Sequence, residues 1–339
     1  MESLLRDGAV WPAAVAVSGG GDSTALMLLL AEWARNAGRQ DPVVLTVNHR
    51  LVPGSDRVAA GVVTNARNLG LDAYEIVWRA RKPASNIENA ARAARYRLMG
   101  SWCRAKGILG LYVAHTLEDQ AETFLLRLAR GSGVDGLAAM RAISGFPVAG
   151  FDNMRLVRPL LSMRRAGLRT LLAERGLDWH DDAMNDDPRF ARVRLRAAWP
   201  SLAAAGLTAE RIADAAAHLA RARDALDHDT VALLAAASQF RGKHVLLDAA
   251  MLTTAPREIG LRALARVLME VSVRDYRPRF ERLENLFDAI CSDTLQGGRT
   301  LHGCSVGPAP KRLQRFGPHT LLVRPEPRLA AVVKPNGKQ

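Results

Sequence analysis

Short apolar runs and longer amphipathic segments alternate along the first half of the chain. The runs have the length of buried strands, and the segments between them carry apolar side chains at helical spacing. The predicted strands cover residues 13–18, 43–49, 73–78, 108–115 and 156–161, and the predicted helices cover residues 23–35, 55–69, 86–107, 117–130 and 162–176. This order predicts an α/β fold with a doubly wound, mostly parallel sheet.

The pattern changes after Pro200 and Gly206. An Ala-rich helical segment over 208–240 follows, then shorter helices over 256–271 and 278–290, and short strands near the end. We therefore expect a first, α/β domain over 1–200 and a smaller, mainly helical domain over 201–330. Residues 331–339 are expected to form a loose tail.

The first predicted strand runs directly into a glycine-rich corner with the sequence SGGGDS. It consists of Ser18, Gly19, Gly20, Gly21, Asp22 and Ser23. A strand, a glycine turn and a helix start expose backbone N–H groups that bind anions. The corner lacks the lysine of the commonest phosphate loop, and it contains an acid. A plain turn with Asp22 or Ser23 as the N-cap explains the spacing equally well.

Polar residues also end two other predicted strands. Asn48 and His49 close the second strand, and His115 closes the fourth. The carboxyl ends of parallel strands meet at one edge, where ligands of such sheets bind. This convergence indicates that the glycine corner belongs to a site.

The helix after His115 carries Asp119 and Glu122, three positions apart and opposite its apolar stripe. Two carboxylates near phosphates suit Mg²⁺ or an ammonium group. The alternative is a solvated acidic face, and His115 alone is more typical of a satisfied histidine at a strand end.

Several arginines have equally plain explanations. Arg130–Gly133 fits a glycine C-cap as well as an anion nest, and Glu88 with Arg92 fits an i, i+4 ion pair. A basic segment contains Arg189, Arg192, Arg194 and Arg196. Its alternating spacing favours surface charge over a phosphate clamp.

Charge and cysteine usage narrow the function classes. The formal net charge of +13 favours a polyanionic partner such as nucleic acid. The three cysteines form no CxxC pair, which favours reduced thiols. No signal peptide and no span of bilayer length are apparent, so we expect a cytoplasmic protein without a membrane partner.

Taken together, these segments resemble one family. SGGGDS matches the SGGxDS signature of the PP-loop ATP pyrophosphatases. The order of VNHRL, IENAARAARY, AHTLEDQAETFLLRLARGSGVDGL, VRPLL and DDAMNDDPRFARVRLR is similar to the tRNA(Ile)-lysidine synthetases, over residues 15–196. Two positions depart from that family's usual pattern: Glu118 stands for an Asp, and Val193 stands for an Asn, which removes an amide.

The resemblance implies ATP-dependent ligation of L-lysine to the wobble cytidine of a CAU-anticodon tRNA(Ile), with release of AMP and pyrophosphate. It implies that residues 18–23, Asn48 and His115 bind ATP. It implies Mg²⁺ on Asp22 and Asp119, and lysine on Asp119 and Glu122.

Three further roles follow from the same resemblance. His115 is expected to stabilise charge at the adenylate, and Arg192 and Arg196 are expected to reach the activated nucleotide. The helical second domain is expected to bind tRNA, and a homodimer is compatible with the family.

Three other classes stay open at the level of sequence. A PP-loop tRNA thiolase would need a cysteine pair or cluster ligands. An amidotransferase-type ligase would not need the basic charge. A non-catalytic RNA-binding protein with a relict nucleotide fold would not convert ATP to AMP.

Overall fold

A six-stranded sheet organises the first of two units in the computed structural model, which describes residues 1–51, 53–80, 87–180 and 191–326. The units are Met1–Ala220 and Arg221–Gln339. The predicted tail over 331–339 and Arg189 lie outside the described residues, as does the side chain of Glu88.

The first unit alternates strands and helices as its apolar pattern predicts. Its strands are β1 (Ala13–Ala16), β2 (Val43–Asn48), β3 (Ala73–Val77), β4 (Gly110–Tyr112), β5 (Ile143–Gly145) and β6 (Arg155–Val157). Its helices are α1 (Glu2–Arg6), α2 (Gly21–Asn36), α3 (Ser55–Asn68), α4 (Ile87–Ala105), α5 (Leu117–Leu128), α6 (Val134–Leu137), α7 (Arg165–Glu174) and α8 (Ala191–Ala204). The strand order is β3-β2-β1-β4-β6-β5, and every pairing is parallel except that of β5 with β6.

The sheet is covered on both faces, which confirms the doubly wound α/β prediction. One apolar cluster joins β1 to α2 and α7, through residues such as Leu26, Leu30 and Leu168. A second cluster joins the sheet to α4 through Tyr96 and Met99. The parallel strands therefore have their carboxyl ends at one edge of the sheet, and an apolar cluster packs on each of its two faces.

Two boundaries differ from the predictions for physical reasons. The last parallel strand ends at Val157 rather than near residue 161, because Pro159 cannot donate to a strand ladder. Helix α7 begins at Arg165, three residues after the predicted start, and its N-cap Arg164 makes no side-chain cap hydrogen bond. The Glu118 carboxylate of α5 instead accepts the Arg165 backbone N–H, at 3.1 Å to each oxygen.

The second unit combines helices with an antiparallel sheet. The long helix α9 (Ala209–Ala237) leads into it, and α10 (Ala249–Thr254), α11 (Arg257–Ser272) and α12 (Phe280–Cys291) follow. The strands are β7 (Ser238–Arg241), β8 (His244–Asp248), β9 (Arg299–Leu301), β10 (Cys304–Pro308) and β11 (Thr320–Pro325), in the order β7-β8-β11-β10-β9. The core packs Leu264, Leu268 and Phe287 against one face of this sheet.

Candidate active site

The SGGGDS corner connects β1 to α2 by a tight turn. Gly19 has φ +93°, and a Cβ there would lie 2.8 Å from Cγ1 of Val58 in α3. Only glycine fits both the left-handed backbone and this close approach. Gly20 is the N-cap of α2, so neither Asp22 nor Ser23 fills that position.

The two serines of the corner hold its shape through hydrogen bonds to each other and to the turn. The Ser18 N–H donates to Oγ of Ser23 at 3.1 Å, and the Ser23 hydroxyl donates to the Gly20 carbonyl at 2.9 Å. The first N–H groups of α2 follow this turn and have no acceptor within the helix. The positive end of the helix dipole therefore lies at the glycines, where an anion is stabilised.

Segment 177–180 lies beside this corner and was not predicted as part of the site. The His180 N–H donates to the Gly19 carbonyl at 2.9 Å. The Trp179 ring lies 3.4 Å from where a Cβ of Gly21 would be. The glycines of the corner thus let the backbone of this segment and an indole ring approach the start of α2.

Arg165 joins the corner to α5. Its Nε lies 2.9 Å from Oδ2 of Asp22, and its Nη2 lies 3.5 Å from Oδ1 of Asp119. The structure therefore brings together the two carboxylates that the resemblance assigns to Mg²⁺. Sequence reasoning missed Arg165, because it lies 143 positions from Asp22 and no local pattern distinguishes it.

The Asp22 carboxyl is in an environment that disfavours its charge. Burial raises its pKa; Arg165 opposes this effect, and the neighbouring Asp119 and Glu118 raise the pKa further. Its Oδ1 atom is buried without a hydrogen-bond partner among the described residues. A cation binding to this oxygen would be stabilised by the surrounding carboxylates.

Asp119 is fixed in place by the start of α5. Its Oδ2 accepts the Thr116 N–H at 2.9 Å and the Thr116 hydroxyl at 3.1 Å, which forms a capping box. Its other oxygen, Oδ1, is the one that faces Arg165. Asp119 thus has a structural role and a second oxygen directed toward the glycine corner.

Glu122 is almost fully buried and pairs with the basic helix α8. Its side chain is 3% exposed, so the alternative of a merely solvated acidic face does not hold for this residue. Arg196 Nε lies 2.6 Å from Oε1, and Arg192 Nε lies 3.9 Å from Oε2. The two arginines are therefore partners of the site rather than plain surface charge.

His115 lies just beyond the end of β4 and is neutral at physiological pH. Burial lowers its pKa to about 4, and Arg158, Arg92 and Arg192 lower it while Asp119 opposes them. Its Nδ1 is buried without a hydrogen-bond partner in the described part of the chain. A neutral imidazole in this position can donate or accept one hydrogen bond without adding charge.

Two other polar residues at this edge serve the scaffold. The Asn48 amide donates to Asp56 Oδ1 at 2.6 Å and to Glu75 Oε1 at 2.8 Å. Arg158, which was not predicted, is 9% exposed and donates to the Arg141 carbonyl at 2.8 Å. Asn48 therefore connects β2 to its neighbours, and its predicted contact with ATP stays a prediction.

Arg130–Gly133 forms the end of α5 rather than an independent nest. Gly131 has φ +71°, and the Ser132 N–H donates to the Arg127 carbonyl at 3.1 Å. This pattern is that of a glycine C-cap.

The donor set suits a phosphate-bound divalent cation better than an all-protein metal site. Within residues 1–51, 53–80, 87–180 and 191–326, no three His, Cys, Asp or Glu side chains converge to hold a metal. Mg²⁺ on nucleotide phosphates commonly takes only one or two carboxylates, which Asp22 and Asp119 can supply. None of the described helices combines the length and apolar character required to cross a membrane.

The fold and the glycine corner define a PP-loop domain, and the family of that description matches residues 4–201. A tRNA(Ile)-lysidine synthase of Methylobacterium nodulans is 39% identical over 96% of this chain and 94% of its own length. The chain therefore belongs to the PP-loop domain family and, within it, to the tRNA(Ile)-lysidine synthases.

Other relatives are longer or more distant. A tRNA(Ile)-lysidine synthase of Ruegeria pomeroyi is 40% identical over 78% of this chain, and the match spans 62% of that relative's length. Among solved structures, the U34-tRNA thiolase NcsA from Methanococcus maripaludis is 15% identical with a TM-score of 0.48. That alignment covers 63% of this chain and 71% of the thiolase.

Proposed function

We propose that this chain ligates L-lysine to the wobble cytidine of CAU-anticodon tRNA(Ile), at the expense of ATP. The observation that carries the proposal is the contact of Arg165 with both Asp22 and Asp119, which joins the PP-loop corner to the acidic face of α5. Family membership supports ATP as the nucleotide and lysine and tRNA(Ile) as the other substrates.

In the first step, the 2-carbonyl oxygen of the cytidine attacks the α-phosphate of ATP. A bond forms between that oxygen and phosphorus, and pyrophosphate leaves. The N–H groups at the start of α2, together with Ser18 and Ser23, hold the phosphates. Mg²⁺, held by Asp22 and Asp119, would neutralise charge on the pyrophosphate.

In the second step, the uncharged ε-amine of lysine attacks carbon 2 of the adenylated base. The carbon–oxygen bond breaks and AMP leaves with the oxygen. Glu122 and Asp119 orient the amino group before attack, and neutral His115 donates a hydrogen bond near the adenylate. Arg192 and Arg196, which form ion pairs with Glu122, contact the activated nucleotide.

The second unit and the basic residues of α8 bind the tRNA backbone at positions other than the reacting base. We assign residues 1–200 to catalysis and residues 201–330 to tRNA binding. A base can react at its edge only when it is splayed from its loop, so the backbone must be held elsewhere. A cytoplasmic location follows from these substrates, and a homodimer stays a prediction.

The thiolase alternative loses support from the two buried cysteines. Burial raises the pKa of Cys103 to about 12 and that of Cys304 to about 11, so neither is a thiolate at neutral pH. A non-catalytic RNA-binding protein is distinguished by its failure to form AMP.

The direct test is transfer of radiolabelled lysine to a CAU-anticodon tRNA(Ile) transcript with ATP and Mg²⁺, beside the methionine tRNA with the same anticodon. We expect label on the isoleucine tRNA alone, with one AMP formed per lysine transferred. AMP formation without lysine transfer would point to another nucleophile, and no AMP would overturn the enzyme assignment.

A further inference from the structure

The loop between α11 and α12 exposes large apolar side chains among arginines. Val273 is 91% exposed, Tyr276 is 58% exposed, and Phe280 at the start of α12 is 62% exposed. We call residues 273–282, which comprise this loop and the first three residues of α12, the arginine-aromatic segment. Its charged residues are Arg274, Arg277, Arg279 and Arg282 against Asp275 and Glu281.

The backbone of this loop is held in an uncommon conformation. Val273 has φ +54°, a left-handed value that a β-branched residue rarely adopts. The cap of α11 holds it there, because the Arg274 N–H donates to the Met269 carbonyl at 3.1 Å. Strained backbone of this kind is concentrated at binding and switch regions.

Tyr276 is oriented by the turn between β9 and β10. Its ring packs at 81° to the imidazole of His302, with 4.9 Å between ring centroids. The Arg274 guanidinium lies 5.8 Å from the centre of the tyrosine ring. With both neighbours in place, Tyr276 as a whole is still more than half exposed.

A basic cleft of about 440 Å³ is lined in part by the same His302. It lies between α12 and the β9–β10 hairpin and is lined by Arg282, Arg299, Asn285 and His302, with Glu326 as its acid. Arg299 is held by a hydrogen bond from Nη1 to the Asn285 carbonyl at 3.2 Å. His302 contacts the Tyr276 ring and also lines the cleft, so it links the ring to the two arginines.

We propose that this surface binds an unpaired nucleotide of the tRNA, with its base stacked on Tyr276 and its phosphates held by Arg282 and Arg299. The inference rests on the proposed function, which supplies the RNA. Arginine forks match phosphate oxygens, and an exposed aromatic ring accepts any unstacked base. Bases within a duplex already stack on each other, so the surface selects single-stranded RNA over a helix.

The test measures tRNA affinity of the full chain by fluorescence anisotropy with the Tyr276→Ala and Tyr276→Phe variants. We expect the alanine variant to raise the Kd for tRNA about tenfold, which is typical for loss of one stacked base, and phenylalanine to restore it. Phe240→Ala is the matched control. Phe240 is 54% exposed on β7, at the edge of the second unit's sheet that is opposite β9. Its Kd is expected to equal that of the unaltered protein.

A second measurement tests the arginines independently of any effect on Tyr276. The Arg282→Ala/Arg299→Ala variant is expected to lower the slope of log Kd against log salt by about 1.4, or about 0.7 for each lost phosphate contact to a single strand. A ten-nucleotide single-stranded RNA is expected to compete with tRNA for the unaltered protein, and a duplex of equal length is not.

The outcomes separate this surface from the proposed reaction. Unchanged Kd and unchanged salt slope in both sets of variants, in a protein that transfers lysine, would overturn the surface and leave the reaction intact. If the variants bind tRNA more weakly but the unaltered protein transfers no lysine, the proposal of the binding surface stands and the proposed reaction is wrong. Equal loss in Phe240→Ala and Tyr276→Ala would also overturn the surface, because the effect would not be local.

Discussion

Arg165 binds Asp22 through a 2.9 Å contact between residues that are 143 positions apart in the chain. The same guanidinium lies 3.5 Å from Asp119, so one cation neutralises two carboxylates on different helices. This relationship connects the α2 corner, α5 and α7. It also makes the stability of the site depend on the charge state of Asp22.

Arg165→Ala is expected to destabilise the protein by about 1–3 kcal/mol at neutral pH, because two partly buried carboxylates lose their partner. Loss of the guanidinium raises the already elevated pKa of Asp22 further. The penalty therefore shrinks as the pH falls and Asp22 becomes protonated. Urea unfolding at neutral and at acidic pH measures this, with Arg165→Lys as the charge-retaining control. A penalty independent of pH would indicate lost packing instead.

Gly19→Ala tests the geometry of the corner. A Cβ at φ +93° would lie 2.8 Å from Val58, so we expect a loss of about 1–3 kcal/mol and weaker ATP binding. Gly61→Ala in α3 is the matched control, because no atom lies within 4 Å of its Cβ position. That control is expected to gain up to about 1 kcal/mol. If Gly19→Ala and Gly61→Ala changed the melting temperature and the ATP affinity by the same amounts, the result would contradict this account of the corner.

Glu122→Gln tests the lysine assignment. Loss of a buried charged acceptor is expected to raise the KM for lysine about tenfold or more, while tRNA-dependent AMP formation persists. Asp119→Asn is expected to abolish lysine transfer without unfolding the protein. Glu210→Gln is the control, since Glu210 pairs with Arg164 at 3.0 Å on the exposed surface. An unchanged KM for lysine in Glu122→Gln would remove the assignment.

His115 contributes a pH dependence to stability. Its pKa falls from 6.5 to about 4 on folding, so between these values the unfolded chain binds more protons than the folded one. Stability is therefore lost as the pH falls from 6.5 toward 4. The charged groups acting on His115 are Asp119, Arg158, Arg92 and Arg192, with burial as the largest cause.

The variant His115→Gln removes that contribution. Urea midpoints at about pH 7 and about pH 5 are expected to differ less in the variant than in the unaltered protein. Parallel curves for the two proteins would mean that His115 is not buried in neutral form.

The central sheet was predictable from sequence because parallel strands are buried on both faces and appear as short apolar runs. The boundaries of β2 and β3 lie within one residue of these runs and β1 ends two residues early, whereas β4 (Gly110–Tyr112) is much shorter than the predicted 108–115. β5 is a three-residue edge strand, and β7 continues directly from the 29-residue helix α9, so neither stands out from its surroundings. The second unit consequently contains more sheet than its helical pattern indicates.

The site was predictable only where its residues are local to a motif. The corner and α5 are continuous segments with distinctive spacing. Arg165 and Trp179 reach the corner through tertiary packing, and the sequence around them has no feature that indicates this. For Arg196 the local pattern was misleading. The alternating spacing of the arginines favours surface charge, whereas in the structure helix α8 places Arg196 against buried Glu122.

The central claim is that the wobble base itself is adenylated before lysine attacks. The most direct measurement places ¹⁸O at the 2-carbonyl of the wobble cytidine, adds lysine and ATP, and follows the label by mass spectrometry. The account predicts that the ¹⁸O leaves the tRNA and appears in the phosphate of AMP, with one labelled AMP for each lysine joined. Lysine-modified tRNA accompanied by unlabelled AMP, or ¹⁸O retained in the tRNA, would contradict it.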